Sequence, residues 1–285
     1  MKTLAIDVGG TKFSVAGFDG DLMALRESRA TDREGGPEWL YSQISLIYRD
    51  WREKQGFSAE RVGVGFGGPV DFDRQTITLS THVGGWQGFP LLDRLDELCG
   101  VRPVMDNDAN VGALGEYYFG AGRGADPLFY MTLSTGIGGG IVWQGTAYRG
   151  ADSYGGELGH LTIRPGGPEC LCGARGCYER MCCGLWLERD YGKPAKELLQ
   201  DEEFVREYVV NLALGLKAAI MILNPARIVI GGGIAKAGEK LFLPLRTELR
   251  RQITSWSRAR IEVVPAGLGD DSVLYGALVL AGETK

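Results

Sequence analysis

A chain of 285 residues with 44% hydrophobic composition can bury a substantial core and fits one large domain or two moderate ones. Its formal net charge of −5, with no Lys/Arg-rich block, gives no electrostatic reason to expect a polyanion, which disfavours nucleic acid as a partner. "MKTLAIDVGG" is too short an apolar run for a signal peptide, and no later run approaches the roughly 20 residues a membrane span needs, so a soluble cytoplasmic protein without a membrane partner is expected. In a reducing compartment the 6 cysteines point to metal or thiol chemistry sooner than to disulfides, and the 44 glycines to turns and ligand-approach loops.

In chain order the pattern is α/β. "TLAIDVGGTKFSVAGFDGDLMALRESRA" predicts an antiparallel meander of three strands, punctuated by Gly9-Gly10 and by the hairpin dipeptide Asp19-Gly20. Apolar residues at 39, 40, 44, 47, 48 and 51 predict a helix ending at Gly56. A strand at "RVGVGFGGPVD", a strand over 101–105 entering a helix near Asp108, and a strand, glycine turn and strand in "LFYMTLSTGIGGGIVWQG" follow. The last piece echoes "LAIDVGGTKFSVAGF", a weak internal similarity that predicts two related α/β units facing one cleft. Beyond a loop-rich stretch at 150–180 come a helix over 201–223, a strand at "RIVIGGG", an amphipathic helix over 236–253, a strand at "RIEVVPA" and a final helix over 272–282. The expected division is a smaller domain of 1–108 plus 272–285 and a larger one of 109–271.

"DVGGTK" and "STGIGGG" each place unhindered backbone N–H groups at a strand end, the physical requirement for cradling phosphate oxygens. Thr11 and Thr135 add hydroxyl donors and Lys12 a positive charge. Neither is a Walker A loop or a G-x-G-x-x-G turn, and either alone could be a plain hairpin. As a pair, with Asp7 placed to hold a magnesium ion, they favour a two-sided phosphate clamp.

Asp106, Asn107 and Asp108 follow a strand and start a helix whose N-terminal amides aim back at them, so a carboxylate there should stay ionised. An acid at the carboxyl end of a strand sits where ligands bind in α/β folds. Helix capping explains one such residue but not three in a row.

His160, Cys170, Cys172 and Cys177 form H-x9-C-x-C-x4-C, a donor set suited to tetrahedral zinc, with glycines at 166, 167, 173 and 176 to let the loop close. Three thiolates and an imidazole leave no open position, so the metal is expected to be structural. The competing readings are ordinary buried cysteines or a redox pair. Cys182 and Cys183 fit core positions at a helix start better than replacement ligands.

"LAIDVGGTK", "GPVD", "DNDAN", "STGIGGG", "GELGH", "CLCGARGCYE" and "NPARIVIGGG", in this order across nearly the whole chain, resemble the ROK family (repressor, open reading frame, kinase) of bacterial sugar kinases and related repressors. The resemblance implies an actin-like, hexokinase-type ATPase fold with ribonuclease H-like duplicated domains, closing on ATP and a hexose and transferring the γ-phosphoryl group to a sugar hydroxyl. It implies Asp108 as general base, with Gly68, Asn107, Asp108, Glu157, His160 and Glu179 at the sugar and His160 also joining Cys170, Cys172 and Cys177 on structural zinc. Asp7, Gly9, Gly10, Thr11, Lys12, Ser134, Thr135, Gly136, Gly138 and Gly139 would serve ATP and magnesium, and the Gly231 to Gly233 segment, through Gly232 and Gly233, would lie near the adenosine. A homodimer or homotetramer is the implied assembly. Apart from the resemblance, Glu157 could be a solvated loop acid, and Glu179 a surface partner of Arg180.

The chain departs from the family at "STHVGGWQGFPL", where many relatives carry an asparagine-containing segment before a tryptophan, so Ser80, Thr81 and His82 bear on sugar selection. "MCCG" stands where small residues such as Ala and Ser are usual, and the segment between Cys183 and Asn211 is short. Retention of Glu in "GELGH" favours a glucose-like sugar, with fructose or an N-acetylhexosamine as alternatives. A repressor is disfavoured because only Met1 and Lys2 precede the first strand, and a catalytically silent sugar sensor because Asp108 and Lys12 are both kept.

Overall fold

Side-chain alternation sets the layers of the molecule. In the computed structural model, which describes residues 1–78, 84–257, 259 and 262–283, β1 (Lys2–Val8), β2 (Lys12–Asp19) and β3 (Leu22–Ala30) form the predicted meander, turning at Gly20 with a positive φ of 58°. Leu4, Ile6, Val8, Phe13 and Val15 fall on one face, and Ala5, Ala16 and Phe18 on the other. The first face is covered by α1 (Gly36–Gln55) through Leu40, Ile44, Ile47, Tyr48 and Trp51. That helix ends at Gly56 in the left-handed conformation (φ 60°), whose N–H reaches the Trp51 carbonyl. After it come β4 (Arg61–Phe66), the small hairpin β5 (Val70–Asp71) and β6 (Thr76–Ile77), α2 (Leu91–Cys99) and β7 (Val104–Asn107). The sheet order is β3-β2-β1-β4-β7, with β1, β4 and β7 parallel. The strand expected at 101–105 starts after Pro103, which cannot donate to a ladder, and runs on through Asn107. α2 is not among the sequence expectations, although Leu91, Leu92, Leu95 and Leu98 fall at helical spacing before Gly100. Ser80, Thr81 and His82 lie outside the described residues.

The second half repeats this connectivity. α3 (Asp108–Tyr118) leads to β8 (Leu128–Leu133), β9 (Ile137–Trp143) and β10 (Thr146–Ala147), then to the short helices α4 (Tyr178–Cys182), α5 (Gly184–Tyr191) and α6 (Ala195–Leu198). Next are α7 (Glu202–Leu223), β11 (Arg227–Gly231), α8 (Glu239–Ile253), β12 (Val263–Pro265) and α9 (Ser272–Leu280). The order β10-β9-β8-β11-β12, two antiparallel pairs followed by two parallel ones, matches that of the first sheet strand for strand. The weak sequence echo between the two glycine-turn segments is therefore a structural duplication. α7 is capped by Asp201, which accepts from Glu203 N at 2.9 Å, and ends at Asn224 with φ 45°. The helix expected over 236–253 begins only at Glu239, because Gly238 (φ 61°, ψ −142°) separates it from a 3-10 turn at Ile234–Ala237.

α3 and α9 lie between the sheets and pack on each other, α9 against β1 and β4 and α3 against β8 and β9. Glycines allow this closeness. A Cβ on Gly276 would overlap the Val111 carbonyl oxygen, one on Gly115 that of Ser272, and one on Gly63 that of Ala277. The result is five layers, with α1 and α2 outside the first sheet and α7 and α8 outside the second. Among the described residues, no helix is long and apolar enough to cross a membrane.

Candidate active site

The two glycine turns face each other. The turn after β1 and the turn after β8 bring Thr11 Oγ1 and Thr135 Oγ1 to 3.4 Å, although 124 residues separate them. A Cβ on Gly9 would stand 2.5 Å from the Lys12 carbonyl oxygen, so only glycine fits that bend. The first turn is braced from outside, by Thr31 Oγ1 donating to Gly9 O at 2.8 Å and Arg33 Nε to Gly10 O at 2.9 Å. The second is braced by α5, whose Gly184 N and Leu185 N donate to Ser134 O at 2.7 Å and Thr135 O at 3.2 Å, while Ser134 N bonds to Gly136 O. Gly232 (φ 90°) abuts the Leu133 backbone, and a Cβ on Gly233 would stand 3.9 Å from Ser134 Oγ, so this third turn flanks the second. Gly138 and Gly139 lie within β9, where lack of a Cβ lets Ala109 of α3 and the Gly156 backbone approach.

Two half-buried carboxylates sit behind the turns. Asp7, at the end of β1, is pushed up to about 7 by burial and by the charge of Asp108, against the opposing pull of Lys12. Asp108 opens α3 and is also pushed up to about 7, by burial and Glu157. The amides of α3 do lower it, as the sequence implied, but desolvation outweighs them, so the expectation of a carboxylate that stays ionised is corrected. Its Oδ2 lies 3.5 Å from where a Cβ on Gly67 would stand, leaving the space beside it free of side chain. Asn107 caps α3 by accepting from Ala109 N at 2.9 Å and donates through Nδ2 to Gly68 O at 3.0 Å.

Glu157, just before a 3-10 turn at Leu158–His160, is lifted by burial and by Glu179 and lowered by His160, so these three residues share one electrostatic environment. Glu157 is thus not a solvated loop acid. Glu179 Oε2 accepts from Ile137 N at 2.9 Å, and Arg180 instead pairs with Asp190 at 2.6 Å. The ligand atoms of His160, Cys170, Cys172 and Cys177 all lie within 4.8 Å of one another. Burial holds the Cys170 and Cys177 thiols up, Cys177 to about 12, so they become thiolates only beside a cation. Cys182 and Cys183 are buried in the hydrophobic core of the second unit, as expected.

Sequence reasoning missed four residues that shape this site. Arg33 braces the first turn. Asp270 pairs with Lys12 at 3.4 Å and with Lys236 at 2.7 Å. Glu116, fully buried on α3, accepts from Ala121 N, Gly267 N, Leu268 N and Ser272 Oγ, fastening the chain that leads from Gly267 into α9. Arg149 pairs with the buried Asp106 at 2.7 Å. Apart from the bond between Glu116 and Ala121 N, these are long-range contacts of ordinary surface-type residues, for which a single sequence holds no local signal.

Two copies of one five-stranded unit, meeting over opposed glycine turns with carboxylates behind them, define the actin-like ATPase fold of the hexokinase type. The ROK family model matches residues 3–284, and the chain belongs to that family. It is 36% identical to a glucokinase of Thermotoga maritima over 99% of this chain and 98% of that protein. Among solved structures it resembles a ROK hexokinase from Thermus thermophilus, with TM-score 0.85 and 35% identity over 99% of this chain and 98% of the other. It also resembles a ROK family glucokinase from Streptomyces griseus determined with glucose and AMPPNP, with TM-score 0.86 and 29% identity over the full length of both chains.

Proposed function

We propose that the protein is an ATP-dependent sugar kinase that converts a hexose, glucose above all, to its 6-phosphate, with Asp108 as general base. The observation that carries this reading is the placement of Asp108, half-buried at the start of α3 and lifted to about 7, in electrostatic contact with Asp7 on the phosphate side and Glu157 on the other. A carboxylate poised near neutrality accepts a proton from a sugar hydroxyl without being spent as a permanent anion. The hydroxyl oxygen forms a bond to the γ-phosphorus as the bond to the bridging oxygen breaks; the proton passes to Asp108, and ADP leaves. Gly9, Gly10, Thr11, Ser134, Thr135 and Gly136 present donors to the phosphates from two sides, and Lys12 offsets the developing charge. Gly138 and Gly139 shape the strand behind the second turn, while Gly232 and Gly233 border the adenosine.

Asp7 is the carboxylate suited to magnesium, which would shield phosphate charge when bound. On the sugar side, Asn107 and the Gly68 backbone fix one wall, and Glu157, His160 and Glu179 accept or donate at the remaining hydroxyls. The Cys3His donor set fits zinc, held by His160, Cys170, Cys172 and Cys177, and such an ion would tie the loop of Glu179 to the turn of His160. The division into 1–108 with 272–285 and 109–271 is supported by α9 returning to β1 and β4. Assembly as a homodimer or homotetramer is supported by Val210, Leu214 and Met221, exposed along one side of α7, and sedimentation measures it.

An ATP-coupled assay across glucose, fructose, mannose, N-acetylglucosamine and N-acetylmannosamine, with Asp108→Asn as control, tests the reading. Turnover greatest with glucose and lost in the variant is the expected result; no turnover with any of these sugars removes it.

A further inference from the structure

The "DNDAN" segment contains an acid that the kinase reading leaves without a task. Asp106 is 1% exposed and stands next to last in β7, two residues before the base. Its Oδ1 accepts from Asn107 N at 2.7 Å and from Asn110 Nδ2 at 3.2 Å, and its Oδ2 accepts from Arg149 Nε at 2.7 Å. Both oxygens of this carboxylate, and three of its roughly four acceptor sites, are therefore engaged inside the protein.

Arg149 comes from the other half of the molecule, just beyond β10. Its guanidinium also donates to Ala147 O at 3.4 Å and to Glu283 Oε2 at 3.1 Å, and lies 3.5 Å from the centroid of the Phe72 ring. Its own carbonyl accepts from Gly155 N at 2.8 Å, and Gly150 (φ 73°) and Gly155 close the intervening loop upon itself. Gly156 then packs against the Gly139 backbone, and the next residue is Glu157. A second tie runs alongside, from Phe72 N to Ser153 Oγ at 3.1 Å.

We propose that Asp106 and Arg149 are a positioning pair that sets the separation and orientation of Asp108 relative to Glu157, and so the angle at which the sugar hydroxyl meets the base. This rests on the sugar-kinase reading. On one side the pair acts through Asn107, whose backbone is held by Asp106 and whose side chain caps α3 and grips Gly68. On the other it acts through the closed loop that delivers Glu157. A buried ion pair returns little net stability against a well-packed apolar pair, because desolvation consumes the Coulombic gain. Its geometry, in contrast, is fixed: the planar fork of arginine fits a carboxylate, a carbonyl and an aromatic face together, which an ammonium cannot do.

The test compares Arg149→Lys, Arg149→Ala and the double variant Asp106→Asn/Arg149→Met, which leaves no uncompensated buried charge, by steady-state kinetics, calorimetric affinities and thermal melting. In the double variant kcat should fall about 100-fold and the sugar KM rise about tenfold, with the ATP KM within about twofold of the parent and melting still cooperative. Arg149→Lys, which keeps the charge and loses the fork, should recover only part of kcat, and millimolar methylguanidinium should restore part of the turnover of Arg149→Ala. Parental kcat in the double variant, or sugar and ATP KM values rising together in step with lost folded protein, would overturn the proposal. If the parent protein phosphorylates no sugar, the kinase reading fails first. The pair is then judged by calorimetric sugar affinity alone, where equal affinity in parent and double variant overturns it.

Discussion

Glu179 Oε2 accepts a hydrogen bond from Ile137 N at 2.9 Å, so the acid that follows the cysteine loop is fastened to the first residue of β9, directly beyond the second glycine turn. The same neighbourhood supplies Gly184 N and Leu185 N to the carbonyls of Ser134 and Thr135. The loop therefore supports both ligands, unequally. Stripping the proposed zinc with a chelator should free His160 and the segment leading to Glu179, while the turn at 134–136 keeps its place between β8 and β9. Loss of one or two charge-assisted hydrogen bonds should weaken sugar affinity by about 10–100-fold. Nucleotide affinity should fall by less, and calorimetry on the same sample measures both. Equal losses would mean that the loop serves the fold as a whole.

Asp108→Asn keeps the shape of the proposed base and removes its ability to take a proton. Asn107, not Asp108, caps α3, so the helix start should survive the change. Turnover should drop by about 100-fold or more, with sugar affinity changed little. Rapid-mix measurement of a single turnover distinguishes lost chemistry from slowed product release.

Asp7 and Asp108 also make a pH signature. Both carboxyls have an ordinary value of 3.8 and are pushed up to about 7 in the folded protein, chiefly by burial. Between these values the folded state holds more protons than the unfolded state, so their contribution to stability is fullest below the lower value and is lost as pH rises through about 7. Asp7→Asn and Asp108→Asn should therefore raise the melting temperature of the ligand-free protein at about pH 8 and change it little at about pH 4. Parental kcat/KM for sugar should climb through about pH 7 as Asp108 ionises. A flat profile across neutrality would place the base elsewhere.

Much of this site was legible because its parts are contiguous. Asp7 to Lys12, Ser134 to Gly139 and Asp106 to Asn110 each occupy one strand end, and the glycines of the first two announce a backbone that must come close to something. The duplication was faint in sequence, since only the strand-turn-strand segments echo each other, yet the two sheets repeat each other in full. Burial was the quantity that local pattern could not supply. The start of α3 argues for an ionised Asp108, and only the packed structure shows desolvation winning. Gly138 and Gly139 carry the opposite lesson: glycines in a phosphate-turn motif can be there for a neighbouring helix and loop. Arg149 and Glu116 find partners 43 and up to 156 residues away, which no periodicity reveals.

The contact between α3 and α9 gives a final expectation about how the two halves hold together. α3 carries Asp108 at its start and packs on the second sheet, while α9 packs on the first, so their crossing is the central joint of the molecule. At that crossing Gly276 lies against the Val111 carbonyl and Gly115 against that of Ser272, backbone on backbone, with no flexible side chain able to yield. Gly276→Ala should therefore separate the helices rather than be absorbed locally, costing about 1–3 kcal/mol or more in urea unfolding. Because α9 also rests on β1 and β4, the displacement reaches the strands behind the first glycine turn, and the ATP KM should rise along with the loss of stability. Gly56→Ala, at an exposed helix end whose Cβ meets nothing within 4 Å, is the control: it carries the strain of a positive φ of 60° but should leave the ATP KM unchanged.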